Sequence, residues 1–334
     1  MSVEQQVMHI GMGYVLSSAL NVAARLDIAT KIGATPQTVG ELAKRSGVLE
    51  DPLYRLLRAL ASAGVFQELD GRRFANTPAS DVLRADNPRS LRPMIEFIAD
   101  PLHFRTYAEM RYSIETGKPA GEKVVGMPLF EYFPTHPELG NLFNDAMTNF
   151  SASVIPAVLK AYDFSGIDTL VDVAGGHGMV LTSILKHYSS MRGVLFDMPQ
   201  VIEGAGPQIA SAGVGDRCQA IGGDFFKGVP SGDAYVMKHI IHDWDDDKAT
   251  AILRNIRAAL GARSNGRVLL LESVIHPGSD PELPKVLDLE MLLFPGGRER
   301  TADEFAALFV RAGFKLARIV PTESPIAVLE ATPA

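Results

Sequence analysis

The stretch "IDTLVDVAGGHG", residues 167–178, decides the fold. Its apolar run is short and breaks into a glycine-rich turn, after which "MVLTSILKHY" (179–188) has helical spacing. A strand entering a glycine turn that opens a helix is the first unit of an alternating α/β architecture. The sequence downstream repeats that unit. "RGVLFD" ends in Asp197, "CQAIGGDFF" carries Asp224, "GDAYVMKHII" carries Lys238, and "GRVLLLESVI" carries Glu272. Helical patterns follow at "DDKATAILRNIRAAL" (246–260) and "ADEFAALFVRAGF" (302–314), and "KLARIVPT" with "IAVLEA" reads as a terminal strand pair. The expected fold of this half is an α/β doubly wound sheet, mostly parallel, with an antiparallel edge.

Upstream the pattern is helical. Val15, Ala19, Val22 and Leu26 share one helix face within 5–30, and Leu42 and Ala43 sit on a short helix ended by "RSG". Asp51 is placed as an N-cap with Pro52 behind it. Leu53, Leu56, Leu57 and Leu60 make an apolar stripe that Gly64 ends, and "VFQELDGRRFAN" (65–76) reads as a hairpin turning at Asp70-Gly71. Helix, turn, helix and hairpin make a winged helix. The expected organisation is a winged-helix domain at 1–100, a helical connecting segment at 101–165 and a Rossmann-like catalytic domain at 166–334.

Composition narrows the function. The 334 residues are 46% hydrophobic and 21% charged, enough for a full core, and the net charge of −7 disfavours polyanion binding. A winged helix invites a DNA-binding reading through Arg55, Arg58, Arg72 and Arg73, but only two of these lie on the second helix. An interaction module, with no nucleic-acid partner, is the favoured reading. The one cysteine, Cys218, forms no internal disulfide and fits a cytoplasmic setting. The opening "MSVEQQVMHIGMG" lacks signal-peptide character, and no unbroken apolar run reaches membrane-spanning length, so no membrane association is expected.

In a doubly wound sheet, ligands bind at the carboxyl ends of the strands. Gly175–Gly178, Asp197, Asp224, Lys238, His242 and Glu272 all fall there. Packing alone does not explain so many polar groups, because each unpaired buried charge costs several kcal/mol. The loop fits NAD or S-adenosylmethionine in context. "AGGHG" lacks the G-x-G-x-x-G spacing, which disfavours a dinucleotide, and Asp172 suits a cationic headgroup better than a pyrophosphate.

"LVDVAGGHG", "FDMP", "GDFF", "KHIIHDW" and "PGGRERT" stand in the order and approximate spacing of class I S-adenosylmethionine-dependent O-methyltransferases. Nearly the whole chain resembles the caffeate/acetylserotonin O-methyltransferase family, whose N-terminal winged helix serves dimerisation. The resemblance implies an enzyme, a homodimer, S-adenosylmethionine as cofactor and S-adenosylhomocysteine as product. It implies that Asp172, Ala174, Gly175, Gly176, Asp197, Asp224, Phe225 and Lys238 bind the cofactor. His242 matches the family's general base, and Glu272 and Glu299 match the acids that orient it. Phe143, Met147, Phe150, Asp288, Met291 and Phe294 match positions that bind a flat aromatic or polyketide-like acceptor. The chain departs from the family at Ala174, where glycine is usual; alanine is expected to be tolerated there if its φ stays negative. It is also one residue shorter between "DLEML" and "PGG" than the plant enzymes.

The chemistry is consistent with that resemblance. A sulfonium methyl is already activated, so proximity and a deprotonated oxygen suffice. A phenol has a pKa of about 10, and a histidine of about 6.5 can take its proton. No metal is required, and no His, Cys or acid cluster is expected to form a metal site. Asp243, Asp245, Asp246 and Asp247 are read as the start of the next helix, Trp244 as core, and His239 as packing that points away from His242 or stays within the strand. A related protein catalysing a non-methylating reaction and a winged-helix transcription regulator are the alternatives.

Overall fold

The computed structural model describes residues 2–334, with one unit formed by residues up to Arg105 together with Pro137–Phe150. Helices Val3–Arg25, Ile28–Ile32, Val39–Ser46 and Glu50–Ser62 pack around Ile28, Leu42, Leu53, Leu57, Leu60, Phe66 and Phe74. Strands β1 (Gln37–Thr38), β2 (Phe66–Leu69) and β3 (Arg73–Asn76) form an antiparallel sheet in the order β1-β3-β2. The winged helix is present, with β1 as an additional strand. Thr38 and Glu41 form a reciprocal cap that starts the third helix.

Three local expectations are corrected. The first helix ends at Arg25, because Asp27 adopts φ 55° and redirects the chain. Asp51 lies in the first turn of its helix, which Leu49 flanks without a side-chain cap. The hairpin loop has three residues, completed by Arg72 at φ 53°. Val15 and Val22, on the apolar face read from the spacing, are 41% and 42% exposed in the single chain. The Val3–Arg25 helix also holds an 18-residue window of mean hydropathy 1.3, 17% buried, so one helix does meet the length and composition of a membrane span.

The second unit comprises 106–136 and 151–334. Its strands are β4 (Thr169–Val173), β5 (Arg192–Asp197), β6 (Cys218–Gly222), β7 (Ala234–Lys238), β8 (Arg267–Glu272), β9 (Val274–Ile275), β10 (Arg300–Thr301), β11 (Phe314–Pro321) and β12 (Ala327–Pro333). Seven of them form one sheet, β11-β12-β8-β7-β4-β5-β6. The five from β8 to β6 run parallel, while β12 and β11 close the edge antiparallel. The doubly wound sheet with its antiparallel edge is as expected.

β4 is an interior strand buried on both faces, which explains its continuous apolar run. Helices Asp246–Leu260 and Ala302–Arg311 cover one face through Ile252, Leu253, Ile256, Phe305 and Phe309. "GRVLLLESVI" is not one strand. It breaks at Ser273, and β9 pairs in parallel with β10, Arg300 opposite Val274. That small sheet carries Glu299 to the end of β8.

Candidate active site

The reversal point of the sheet lies between β4 and its two neighbours, β5 and β7, where a doubly wound fold opens its crevice. Asp172, in β4, is 1% exposed and accepts the Leu181 N–H at 3.2 Å. Burial pushes its carboxyl up to about 7. It lies directly beneath the turn: a Cβ at Gly175 would stand 2.6 Å from its carboxylate. Ala174 has φ 56°, so the expectation of a negative φ is overturned. Its N–H is tied to the Phe196 carbonyl at 2.7 Å, and that bond to the neighbouring strand accompanies the left-handed conformation.

Asp197, the last residue of β5, accepts N–H groups from Gly176 and Met198, both at 2.7 Å. Burial pushes its carboxyl up. Its remaining lone pairs are available to hydroxyl donors. Asp224 is exposed, two residues beyond β6, where it accepts the Phe226 N–H at 2.9 Å. Phe225 packs edge-on to Trp244 at 5.9 Å, and Phe226 and Phe130 join the same aromatic group. Lys238 ends β7, its pKa lowered to about 8 by burial against the opposing pull of Glu272 and Asp172.

Beyond Lys238 the chain departs from the strand expected there. His239 takes φ 52°, and a tight turn, Ile241–Asp243, follows. That left-handed residue ends β7 and turns the His239 ring onto His242, centroids 4.5 Å apart. His239 therefore faces the site, contrary to the reading of it as packing that points away. Burial and the neighbouring His242 hold its pKa well below the ordinary value.

His242 is 5% exposed. Its Nδ1 hydrogen-bonds Glu299 Oε1 at 2.7 Å and lies 3.8 Å from Glu272 Oε2. Its Nε2 lies 3.5 Å from Asp243 Oδ1. Burial alone would lower its pKa, but Glu272, Asp243 and Glu299 outweigh it and raise it to about 9. Glu272 Oε1 accepts the Ile240 and Ile241 N–H groups at 3.1 and 2.9 Å, and burial lifts its own carboxyl to about 7. The second oxygens of Glu272 and Glu299 are buried without a hydrogen bond.

The structure thus brings His242, Glu272 and Glu299 together. It also adds residues that the sequence reading missed. Asp243, read as part of a helix start, belongs to the site, and burial raises its carboxyl to about 6. Asp245 is the actual N-cap, accepting from Asp247 and Lys248, while Asp246 and Asp247 do occupy the first turn. Gly297 packs on the same turn, where a Cβ would overlap the His242 carbonyl oxygen and the Asp243 backbone. Position 297 is legible in "PGGRERT" only as a glycine; its steric role needs the fold. His239, His242 and Glu272 place three atoms of metal-ligating type within 4.8 Å of one another, a grouping not anticipated from the sequence.

Of the acceptor candidates, Met291 and Phe294 are buried on and just after helix Leu283–Leu293, and Phe294 meets Tyr107 edge-on at 6.0 Å. Asp288 accepts the Glu299 N–H at 2.8 Å. Phe143, Met147 and Phe150 are half-buried in the first unit, on helix Pro137–Ala161, and Phe143 packs on Phe97 at 5.4 Å.

An O-methyltransferase domain family matches residues 107–315, and an O-methyltransferase dimerisation domain matches residues 8–86. The phenazine O-methyltransferase PhzM of Lysobacter antibioticus is 42% identical over 322 residues, covering 96% of this chain and 94% of that one. The solved structure of LaPhzM matches at 40% identity and TM-score 0.94, covering all of both chains. The O-methyltransferase NcsB1 from neocarzinostatin biosynthesis, solved with S-adenosylmethionine and 2-hydroxy-5-methyl naphthoic acid, matches at 30% identity and TM-score 0.81. It covers 95% of this chain and 96% of that one.

Proposed function

This chain belongs to the S-adenosylmethionine-dependent O-methyltransferase family, and on that premise we propose that it methylates a hydroxyl of a fused-ring aromatic small molecule of secondary metabolism. The observation that carries the mechanism is the 2.7 Å bond from Glu299 to His242 Nδ1, which leaves Nε2 as the ring nitrogen for the acceptor. The hydroxyphenazine class is suggested by the 42% identical relative, and a hydroxynaphthoate by the ligand of NcsB1.

The residues present fit the cofactor. Asp197 keeps lone pairs for ribose hydroxyls at the end of β5, the glycine turn keeps its backbone close, and Asp172 beneath it, its pKa raised to about 7 by burial, would be drawn to its charged form by a cationic headgroup. Phe225 and Asp224 would hold the adenine end, and Lys238 would sit beside it. When bound, S-adenosylmethionine supplies a sulfonium-activated methyl group and leaves as S-adenosylhomocysteine.

As the acceptor oxygen attacks the methyl carbon, His242 Nε2 takes the hydroxyl proton. Glu299 and Glu272 stabilise the resulting imidazolium and fix the tautomer. A base at about 9 is closely matched to a phenol at about 10, so the proton moves nearly without cost. The same pKa leaves only about 1% of His242 neutral at pH 7, so methylation is expected to rise steeply toward pH 9.

We assign no metal to the His239–His242–Glu272 group, because Nδ1 of His242 is taken by Glu299 and this reading gives its Nε2 to the acceptor hydroxyl, leaving that ring no nitrogen for an ion; EDTA is expected to leave the rate unchanged. The first unit is assigned to homodimerisation, supported by the dimerisation-domain match at 8–86 and by the exposed Val7, Ile10 and Tyr14. The test is methyl transfer from labelled S-adenosylmethionine to hydroxyphenazines and hydroxynaphthoates by wild type and His242→Ala. The variant is expected to lose at least about 10²-fold in rate while binding S-adenosylhomocysteine normally. Activity within a fewfold of wild type would remove His242 from the mechanism.

A further inference from the structure

Arg300 is 0% exposed and the largest fully buried side chain among the described residues. A guanidinium has five N–H donors, and here each has a partner. Nε donates to Asp246 Oδ1 at 3.0 Å, and Nη2 donates to the same oxygen at 2.9 Å and to the Trp244 carbonyl at 2.7 Å. Nη1 donates to the Ile241 carbonyl at 3.0 Å and the Arg298 carbonyl at 3.3 Å. Two of the three carbonyls flank His242 and Asp243 in the chain.

Burying this charge is expensive, and an aliphatic side chain of similar volume would fill the space more cheaply. What an aliphatic group cannot do is hold two carbonyls three residues apart in one plane. Lysine cannot either, having a point charge and no planar fork. Glu299 immediately precedes β10, which Arg300 opens, so the pairing of β10 with β9 holds both residues beside the His242 turn. Glu299 takes the His242 ring while Arg300 takes the backbone on either side of it. The Arg298 N–H closes the arrangement, donating to the His242 carbonyl at 2.8 Å.

We propose that Arg300 is a positioning residue for proton transfer, its guanidinium locking the Ile241–Trp244 turn so that His242 stays within hydrogen-bond reach of Glu299. The proposal rests on the reading of His242 as the base. Asp246, anchored in the first turn of the following helix, balances the charge and holds the far edge of the fork.

The test uses Arg300→Lys, which keeps the charge, and Asp246→Asn, whose side chain is 46% exposed in the native protein and so least disturbs folding. The full chain, labelled with ¹⁵N-histidine, is titrated by NMR, with His242→Ala identifying the resonance. In Arg300→Lys the His242 titration is expected to fall from about 9 by about one pH unit or more, because the bond to Glu299 loosens. Methyl transfer to a hydroxyphenazine is expected to fall about 10- to 100-fold, with S-adenosylhomocysteine affinity unchanged within about threefold. Asp246→Asn should shift the titration the same way by less. An unchanged titration in both variants, or a loss of S-adenosylhomocysteine affinity parallel to the loss of rate, overturns the proposal. The titration needs no acceptor, so it judges the clamp even if His242→Ala proves active and the base assignment fails.

Discussion

Glu272→Gln separates the charge of Glu272 from its hydrogen bonds. Glutamine retains an oxygen for the Ile240 and Ile241 N–H groups but removes the carboxylate charge 3.8 Å from His242 Nδ1. The rise of His242 from 6.5 to about 9 is a preference of about 3 kcal/mol for the imidazolium. Burial works against that rise, so Glu272, Asp243 and Glu299 together supply more than the net figure, and Glu272 leads them. One opposite charge within 4–6 Å moves a pKa by about 1–3, so His242 is expected to drop by at least about one pH unit. The neutral fraction at pH 7 then rises from about 1% to about 10%, while the base itself weakens. The acidic limb of the kcat/KM profile should move down by that interval, and the plateau should fall severalfold. Rates of labelled methyl transfer between about pH 6 and 10 read both quantities. A profile that still breaks near pH 9 would refute the claim that Glu272 sets the basicity of His242.

Gly297→Ala places a methyl into the backbone of the His242 turn, with no flexible atom to yield; it is expected to destabilise the fold by about 1–3 kcal/mol or more in denaturant titration and to abolish methyl transfer. Ala174→Gly relieves a left-handed alanine worth about 1–2 kcal/mol and gives back about 0.4–1 in chain entropy, so the melting temperature should rise slightly, and a fall would contradict the strain. The folded state holds the His242 proton more tightly than the unfolded one, so that contribution is complete below pH 6.5 and is lost as pH rises through about 9; wild type should lose about 3 kcal/mol over that window by urea unfolding, and His242→Ala much less. Ile10→Asp puts a charge on a residue 76% exposed in the single chain; if the proposed homodimer forms through this unit, light scattering should report a dimer for the wild type and a monomer for the variant.

Much of the catalytic fold was legible because periodicity is a local property. β4 reads as a buried strand from five residues, and the Asp246–Leu260 helix from its apolar spacing. Where local signals compete, the reading slipped. Asp51 beside Pro52 looks like a cap, yet the helix begins two residues earlier than that cap implies, at Glu50. "GRVLLLESVI" looks like one strand because both pieces are apolar, and only the pairing of β9 with β10 reveals the break.

The sequence by itself determined the alternating α/β order, the position of polar groups at strand ends, and the family to which "HDW" and "PGGRERT" belong. Those are carried by residue type and spacing along the chain. Tertiary structure decided the charge state of His242, the left-handed turns at Ala174 and His239, and the membership of Asp243, Gly297 and Arg300 in the same structure. Burial, electrostatic fields and steric overlap depend on which distant residues are brought together. A sequence separation of 57 between His242 and Glu299 becomes a 2.7 Å hydrogen bond only when β10 pairs beside β9.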